Sequence, residues 1–258
     1  MKPFIRRTLT PFLARTLTVC ALSIGAVTAI ETARPASPAF ALTQQEVASR
    51  LSTVPAFVVS VGESFVTYPT TGAEGEASNV EVMPVFWTRQ EAESYIARTR
   101  SQENLPALPP EATVIVRSLE ELYTLERTSQ TEGDRPLVLS YIPESNKVQQ
   151  AVALNSEFTR GVPLFYPQFE DGSIVSISQN DGGKIFPMFF SKSDLESLLA
   201  ELNELNSEAR GVLSVGVVPL ESILGEMLTS EDDLFEQVRL LPDSSVINEL
   251  QQTSPQRQ

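Results

Sequence analysis

The chain repeats itself. Residues 83–94 read MPVFWTRQEAES and residues 186–197 read FPMFFSKSDLES. Proline, phenylalanine, a second aromatic, a hydroxyl, a base, an acid and a closing Glu-Ser recur in one order, 103 residues apart. Upstream, Val54-Pro55-Ala56-Phe57 matches Val162-Pro163-Leu164-Phe165 at a spacing of 108, and downstream Leu119-Glu120 matches Leu220-Glu221 at 101. Three matches in one order at nearly one spacing predict two copies of a unit of roughly a hundred residues. Solenoid repeats stop at about 45 residues, so the expectation is a single domain with an internal pseudo-two-fold axis.

The elements of each unit follow from local pattern. Thr43 and Glu46 form a capping box, with Val47, Leu51 and Val54 following at helical spacing. Val54–Val61 is β-branched and apolar and predicts a strand, turned by Gly62-Glu63-Ser64 into Phe65–Tyr68 as a hairpin. Asp171-Gly172 predicts the same turn between Leu164–Phe169 and Ser173–Ser178. Asn180-Asp181-Gly182-Gly183 turns again into a strand Lys184–Phe190, where the first unit has the loop Thr70–Asn79. Each Pro-x-Phe-aromatic strand runs into a capped helix, Thr88 with Glu91 in one and Ser191 with Asp194 in the other. The first helix carries Ala92, Tyr95 and Ile96 on one stripe, the second Leu195, Leu198, Leu199, Leu202 and Leu205. Short strands at Thr113–Val116 and Leu213–Val218, then helices at Ser118–Leu125 and Leu220–Leu228, close the units.

The fold class is therefore α/β of the α+β type. It consists of two helix–hairpin–strand–helix–strand–helix units, with mainly antiparallel sheet flanked by helices. They are expected to share one domain, residues 42–230, divided into about 42–130 and 135–230. Residues 231–258 are expected to add a C-terminal helical extension, Glu231–Gln252 broken at Pro242, and a polar tail from Thr253.

Residues 1–41 read as a signal peptide. Lys2, Arg6, Arg7 and Arg15 stand without an acid before an apolar run, Thr16–Ile30, that is short for a spanning helix. Ala39-Phe40-Ala41 is a small-x-small cleavage pattern, which makes Leu42 the expected mature start. Alternatives are an uncleaved anchor and, from Arg6-Arg7, a twin-arginine signal. Cys20 lies inside the apolar run behind the bulky Val19, and reads as one more apolar residue. The leader holds five of the 19 basic and one of the 33 acidic residues. The rest carries 14 against 32, a net charge of −18, with no cysteine and no histidine. Disulfides, thiol chemistry, histidine acid–base catalysis and His/Cys zinc sites are excluded from such a chain. Its charge repels a phosphate backbone, so nucleic acid is not an expected partner.

No catalytic constellation stands out. Gly62-Glu63-Ser64-Phe65 lacks the second glycine of a nucleophile elbow. Gly183-Lys184-Ile185 lacks the rest of a phosphate loop. Asp171-Gly172 and Asp181-Gly182 lack the alternating oxygen ligands of a calcium loop and read as turns. The expectation is no enzyme, no cofactor and no metal. The candidates that remain are aromatic: Phe86, Trp87, Phe189 and Phe190, at matched places in the two units. They suit core packing. A second reading is a groove, because strand alternation sends the members of each pair to opposite faces and one of each pair could line an apolar cleft. A strongly charged protein with apolar grooves is suited to holding unfolded polypeptide.

The motif at Pro84–Ser94, its echo at Pro187–Ser197 and the segment Gly161-Val-Pro-Leu-Phe-Tyr resemble the twenty-two-kilodalton soluble component of the chloroplast inner-envelope protein translocon, and its cyanobacterial relatives in particular. The resemblance runs over about residues 42–230 and adds Phe165 and Tyr166 to the groove candidates. It implies a two-fold-symmetric α/β domain with hydrophobic pockets and a non-enzymatic, chaperone-like role toward unfolded precursor or outer-membrane proteins. It further implies an Omp85-type β-barrel insertase as partner and peripheral membrane association. The implied location is the periplasm, or alternatively the thylakoid lumen. Two other functions stay open: a non-catalytic scaffold subunit of a membrane translocon or insertase, and a secreted hydrolase working through carboxylates or a serine.

Overall fold

The computed structural model describes residues 41–71, 77–101, 108–132, 135–178, 183–205 and 213–253. Residues 1–40, the expected turn at 180–182 and the tail 254–258 lie outside them. Helix α1 (Gln44–Arg50) opens with both halves of the capping box. Glu46 N–H donates to Thr43 Oγ1 at 3.2 Å, and Thr43 N–H donates to Glu46 Oε2 at 2.8 Å. Val47 and Leu51, one turn apart, are fully buried. Strand β1 (Pro55–Val61) turns through Gly62, whose φ of +61° suits glycine, into β2 (Ser64–Phe65). There follow β3 (Tyr68–Thr71), β4 (Ala77–Val85), α2 (Arg89–Ser101), β5 (Thr113–Ser118), α3 (Leu119–Glu132), β6 (Leu137–Tyr141) and α4 (Ser145–Leu154). The loop expected over Thr70–Asn79 is shorter than that, because both its ends are strand, in β3 and β4.

The second half runs β7 (Pro163–Phe169), β8 (Ile177–Ser178), β9 (Lys184–Phe189), α5 (Lys192–Leu205), β10 (Leu213–Pro219), α6 (Leu220–Thr229), α7 (Leu234–Gln237), β11 (Val238–Leu241) and α8 (Ser244–Thr253). The turn after β7 sits at Gly172, with φ +82°. The strand order is β10-β7-β9-β11, with β8 also on β9. In the first half the orders are β2-β1-β5 and β3-β4-β6. Reciprocal backbone bonds of 2.9 Å between Phe57 and Phe86 join β1 to β4.

One expectation needs correction. The segment 231–252 is not one broken helix. Val238–Leu241 forms β11, parallel to β9, with Val238 and Leu240 buried and Arg239 exposed between them. A two-residue alternation only four residues long is hidden beside a helical period, and Pro242 ends it. The sheets are mainly antiparallel as expected, and two of the three carry one parallel pair each, β4–β6 and β9–β11. In both cases helices lie between the paired strands, which is the connection parallel strands need.

Side-chain alternation divides the core into three clusters. Ala56 and Val58 of β1, Met83 and Val85 of β4, Leu164 of β7, and Phe186 and Met188 of β9 face a central cluster filled by α1, α3 and α6. The other face of β1 and β4, with Phe57, Val59 and Phe86, packs against Ala92 and Ile96 of α2 and Val246 of α8. The other face of β7 and β9, with Phe165 and Phe189, packs against Leu195 and Leu199 of α5 and Ala151 of α4. Helices α4 and α8 thus cross over: α4 follows the first set of strands and covers the second, while α8 does the reverse. Phe86 and Phe189 anchor the two outer clusters, at 1% and 7% exposure. Each substitution Phe86→Ala and Phe189→Ala is expected to lower stability by about 3–5 kcal/mol, read as a shifted urea midpoint with an unchanged slope.

Candidate functional site

The six candidate aromatics sit under the surface. Phe86, Trp87, Phe165, Phe189 and Phe190 are all buried, and Tyr166 is half-buried. Alternation separates them as expected: Phe86 and Phe189 go to the two outer clusters, Trp87 and Phe190 to the central one. Trp87 and Phe190 meet with ring centroids 4.9 Å apart and planes at 33°, and Trp87 also lies 5.9 Å from Tyr141. Phe86 packs on Tyr95 at 5.1 Å. Tyr166 lies across Gly216 of β10, its partner in register. A Cβ at Gly216 would overlap the Tyr166 ring, so glycine there makes room for the aromatic.

The open feature lies above the Phe86 cluster. A groove of about 410 Å³ runs between α2 and β5. Ile96, Ala112 and Val114 give it an apolar side continuous with that cluster, and Arg89, Glu93 and Arg100 give it charge. The guanidinium of Arg100 donates to the carbonyls of Pro109, Pro110 and Ala112, which fixes one end of the groove. Among the described residues β5 pairs only with β1, so its second edge faces away from the sheet. Sequence pattern puts Ile96 on a helix stripe and Val114 in a strand, but singles out none of the lining residues as a site. Their assembly depends on a helix and a strand separated by residues 102–112.

A second constellation ties the crossing helices together. Lys147 of α4, 9% exposed, reaches Glu144 Oε1 at 2.6 Å and Asp243 Oδ2 at 2.9 Å. Burial alone would depress the Lys147 ammonium, but the two carboxylates outweigh it and hold its pKa above the ordinary value. Burial would likewise raise Asp243. Hydrogen bonds from Ser245 and Lys147 overcome it and hold Asp243 low. Asp194 accepts from Ser244 N–H and Oγ–H, both at 2.8 Å, and so fastens α5 to the start of α8. Its expected capping-box role is only half present, because Ser191 Oγ accepts from Asp194 N–H while the carboxylate serves α8 instead.

Glu91 occupies the same place in α2. Thr88 Oγ1 accepts from Glu91 N–H at 3.3 Å. The Glu91 carboxylate has one buried oxygen, Oε2, without a hydrogen bond. Burial first, and then the charge of Glu144, raise its pKa to about 7, against the opposing pull of Lys147 and Arg98. Among the described residues no group of three or more Asp or Glu side chains could hold a metal ion. No described helix is long and apolar enough to cross a membrane.

A raised carboxyl pKa means that the folded state holds the Glu91 proton more tightly than the unfolded state. The contribution is complete below about pH 4.5 and is lost as pH rises through 7. With no histidine in the chain, Glu91 is expected to dominate the stability slope between pH 5 and 8. Glu91→Gln is expected to flatten that slope and raise Tm at pH 8, as measured by thermal melts across that range.

A model of the Tic22-like family matches residues 9–252. The chloroplastic TIC 22 protein of Pisum sativum is 27% identical over 210 residues, which cover 79% of this chain and 75% of the pea protein. Among solved structures, Anabaena Tic22, described as a protein-transport protein, superimposes with a TM-score of 0.67 at 20% identity, over 84% of this chain and all of that one. Tic22 from Plasmodium falciparum gives a TM-score of 0.60 at 17% identity, over 80% of this chain and 96% of that one. The two structures share the mixed α/β fold, and on the extent of the family match the chain belongs to the Tic22-like family.

Proposed function

We propose that this chain is a protein-transport factor that binds unfolded precursor or outer-membrane polypeptide without catalysing a reaction. The observation that carries this reading is the groove beside β5. It sets an apolar side and a backbone edge next to each other, which suits an extended segment that adds as a strand and seats alternate side chains on Ile96, Ala112 and Val114. Phe86 acts beneath the groove, as its support in the cluster shared with Ile96 and Ala112. Phe165 and Phe189 hold the matching place under α5, with Tyr166 and the Trp87–Phe190 pair inside the body. A net charge of −18 outside residues 1–41 keeps such a carrier dispersed while it is loaded.

In this reading the chain is two copies of one unit, as the sequence repeat predicts. The strand registers support it: Phe57 lies opposite Val116 and Phe165 opposite Val217, Phe57 meets Phe86 as Phe165 meets Phe189, and Met83 faces Leu139 as Phe186 faces Val238. Each of these pairs is related to its mate by the spacing of the repeat. The units then run from β1 to α4 and from β7 to α8, exchanging their last helices. Residues 1–41 act as a cleavable leader that places the protein in the periplasm or, alternatively, the thylakoid lumen. An Omp85-type insertase receives the client there, with peripheral association at the membrane.

The test is fluorescence anisotropy of a labelled, unfolded β-barrel precursor titrated with residues 42–258. Saturable binding in the micromolar range is expected, weakened at least tenfold by Ala112→Arg, which fills the groove, in a variant that remains folded. Absence of binding by the folded chain would refute client holding and leave a scaffold that acts only with its membrane partner. Turnover of a defined substrate would point to a hydrolase instead.

A further inference from the structure

Leu42 has two roles that compete. It is the first residue after the expected cleavage site, and it belongs to the central core. Its side chain is 7% exposed and joins the cluster formed by α1, α3 and α6. Its backbone N–H donates to the carbonyl of Met227 at 2.9 Å, in the last turn of α6. The next residue, Thr43, is held by three hydrogen bonds with Glu46, two through its own N–H and hydroxyl and one received from Glu46 N–H. Val47 follows, fully buried. The chain is therefore committed to the fold from the first residue beyond the Ala41–Leu42 bond, with no free segment between bond and core.

A leader peptidase must take its substrate extended on both sides of the bond that it cuts. Extending Leu42 and Thr43 means withdrawing Leu42 from the core, breaking its bond to Met227 and opening the start of α1. That is a local unfolding event, and cleavage then proceeds only from the small open population. We infer that folding closes the Ala41–Leu42 processing site, so that the leader is removed from the unfolded chain and only slowly from the folded one. The inference rests on the reading of residues 1–41 as a cleavable leader.

The order of events follows. The chain crosses the membrane unfolded, is cut, and then docks α1. This disfavours the twin-arginine alternative, whose cargo arrives folded and would present the bond already closed. In the cut, water adds across the Ala41–Leu42 amide, leaving a carboxylate on Ala41 and an α-ammonium on Leu42. That ammonium meets the carbonyl end of α6, where a positive charge is favoured. Processing thus replaces a neutral donor to Met227 by a charged one.

The experiment uses the full chain, residues 1–258, with detergent-solubilised leader peptidase. The enzyme is added either immediately after dilution from urea or after folding, which the fluorescence of the single tryptophan, Trp87, reports. The unfolded chain is expected to yield a product beginning at Leu42, and the folded chain to be cut at least about tenfold more slowly. Glu46→Ala undoes the capping box without touching the scissile bond. It is expected to speed cleavage of the folded chain severalfold and leave that of the unfolded chain unchanged. Equal rates for folded and unfolded chains, or no gain from Glu46→Ala, would overturn the closure. A product from the unfolded chain that begins elsewhere would refute the leader boundary itself, and the closure with it.

Discussion

The contact on which the rest of the molecule depends is the one between Trp87 and Phe190. Each follows a core strand, β4 or β9, and stands just before the cap of a helix, α2 or α5. Their rings stack at 4.9 Å in the middle of the central cluster. An aromatic pair of this kind adds about 0.5–1.5 kcal/mol beyond the area it buries. Its larger effect is geometric. With Trp87 and Phe190 turned inward, strand alternation obliges Phe86 and Phe189 to point outward, where each requires its own cover of helices. One central core and two outer ones follow from that single step in residue parity.

The exchange of α4 and α8 makes the two halves interdependent. Neither outer cluster is complete without a helix from the other half, and the Lys147–Asp243 ion pair joins the starts of the two exchanged helices. A buried lysine between two carboxylates is weak as a source of stability but strict as a register, because removal of either partner strands a charge. Glu91 stands at the edge of this group with an unsatisfied oxygen. Through Glu91 this polar cluster is expected to answer to pH in the neutral range.

Much of this was legible in the sequence, for reasons that are local. Thr43 with Glu46, and the hydroxyls of Thr88 and Ser191, announce helix starts because capping is decided within four residues. The parity of Phe86–Trp87 and Phe189–Phe190 is fixed by the strand period. What escaped depends on distant partners. Val238–Leu241 is a strand because β9 offers it an edge, and its four residues carry too little alternation to declare themselves. Leu137–Tyr141 is likewise a strand only beside β4. The sequence left the aromatics between core and groove; the groove's apolar side is Ile96, Ala112 and Val114, with Phe86 beneath. Apolar character marks residues for burial but does not say which of them stay at the surface of the cluster.

The central claim is that an extended polypeptide adds to the edge of β5 that no described strand occupies. Amide hydrogen exchange, with and without an unfolded β-barrel precursor, tests it most directly. The account predicts added protection at Thr113–Ser118 and along α2, with the interior strands β1 and β7 unchanged. Protection confined to other surfaces, or none at a client concentration that saturates the protein, would contradict it.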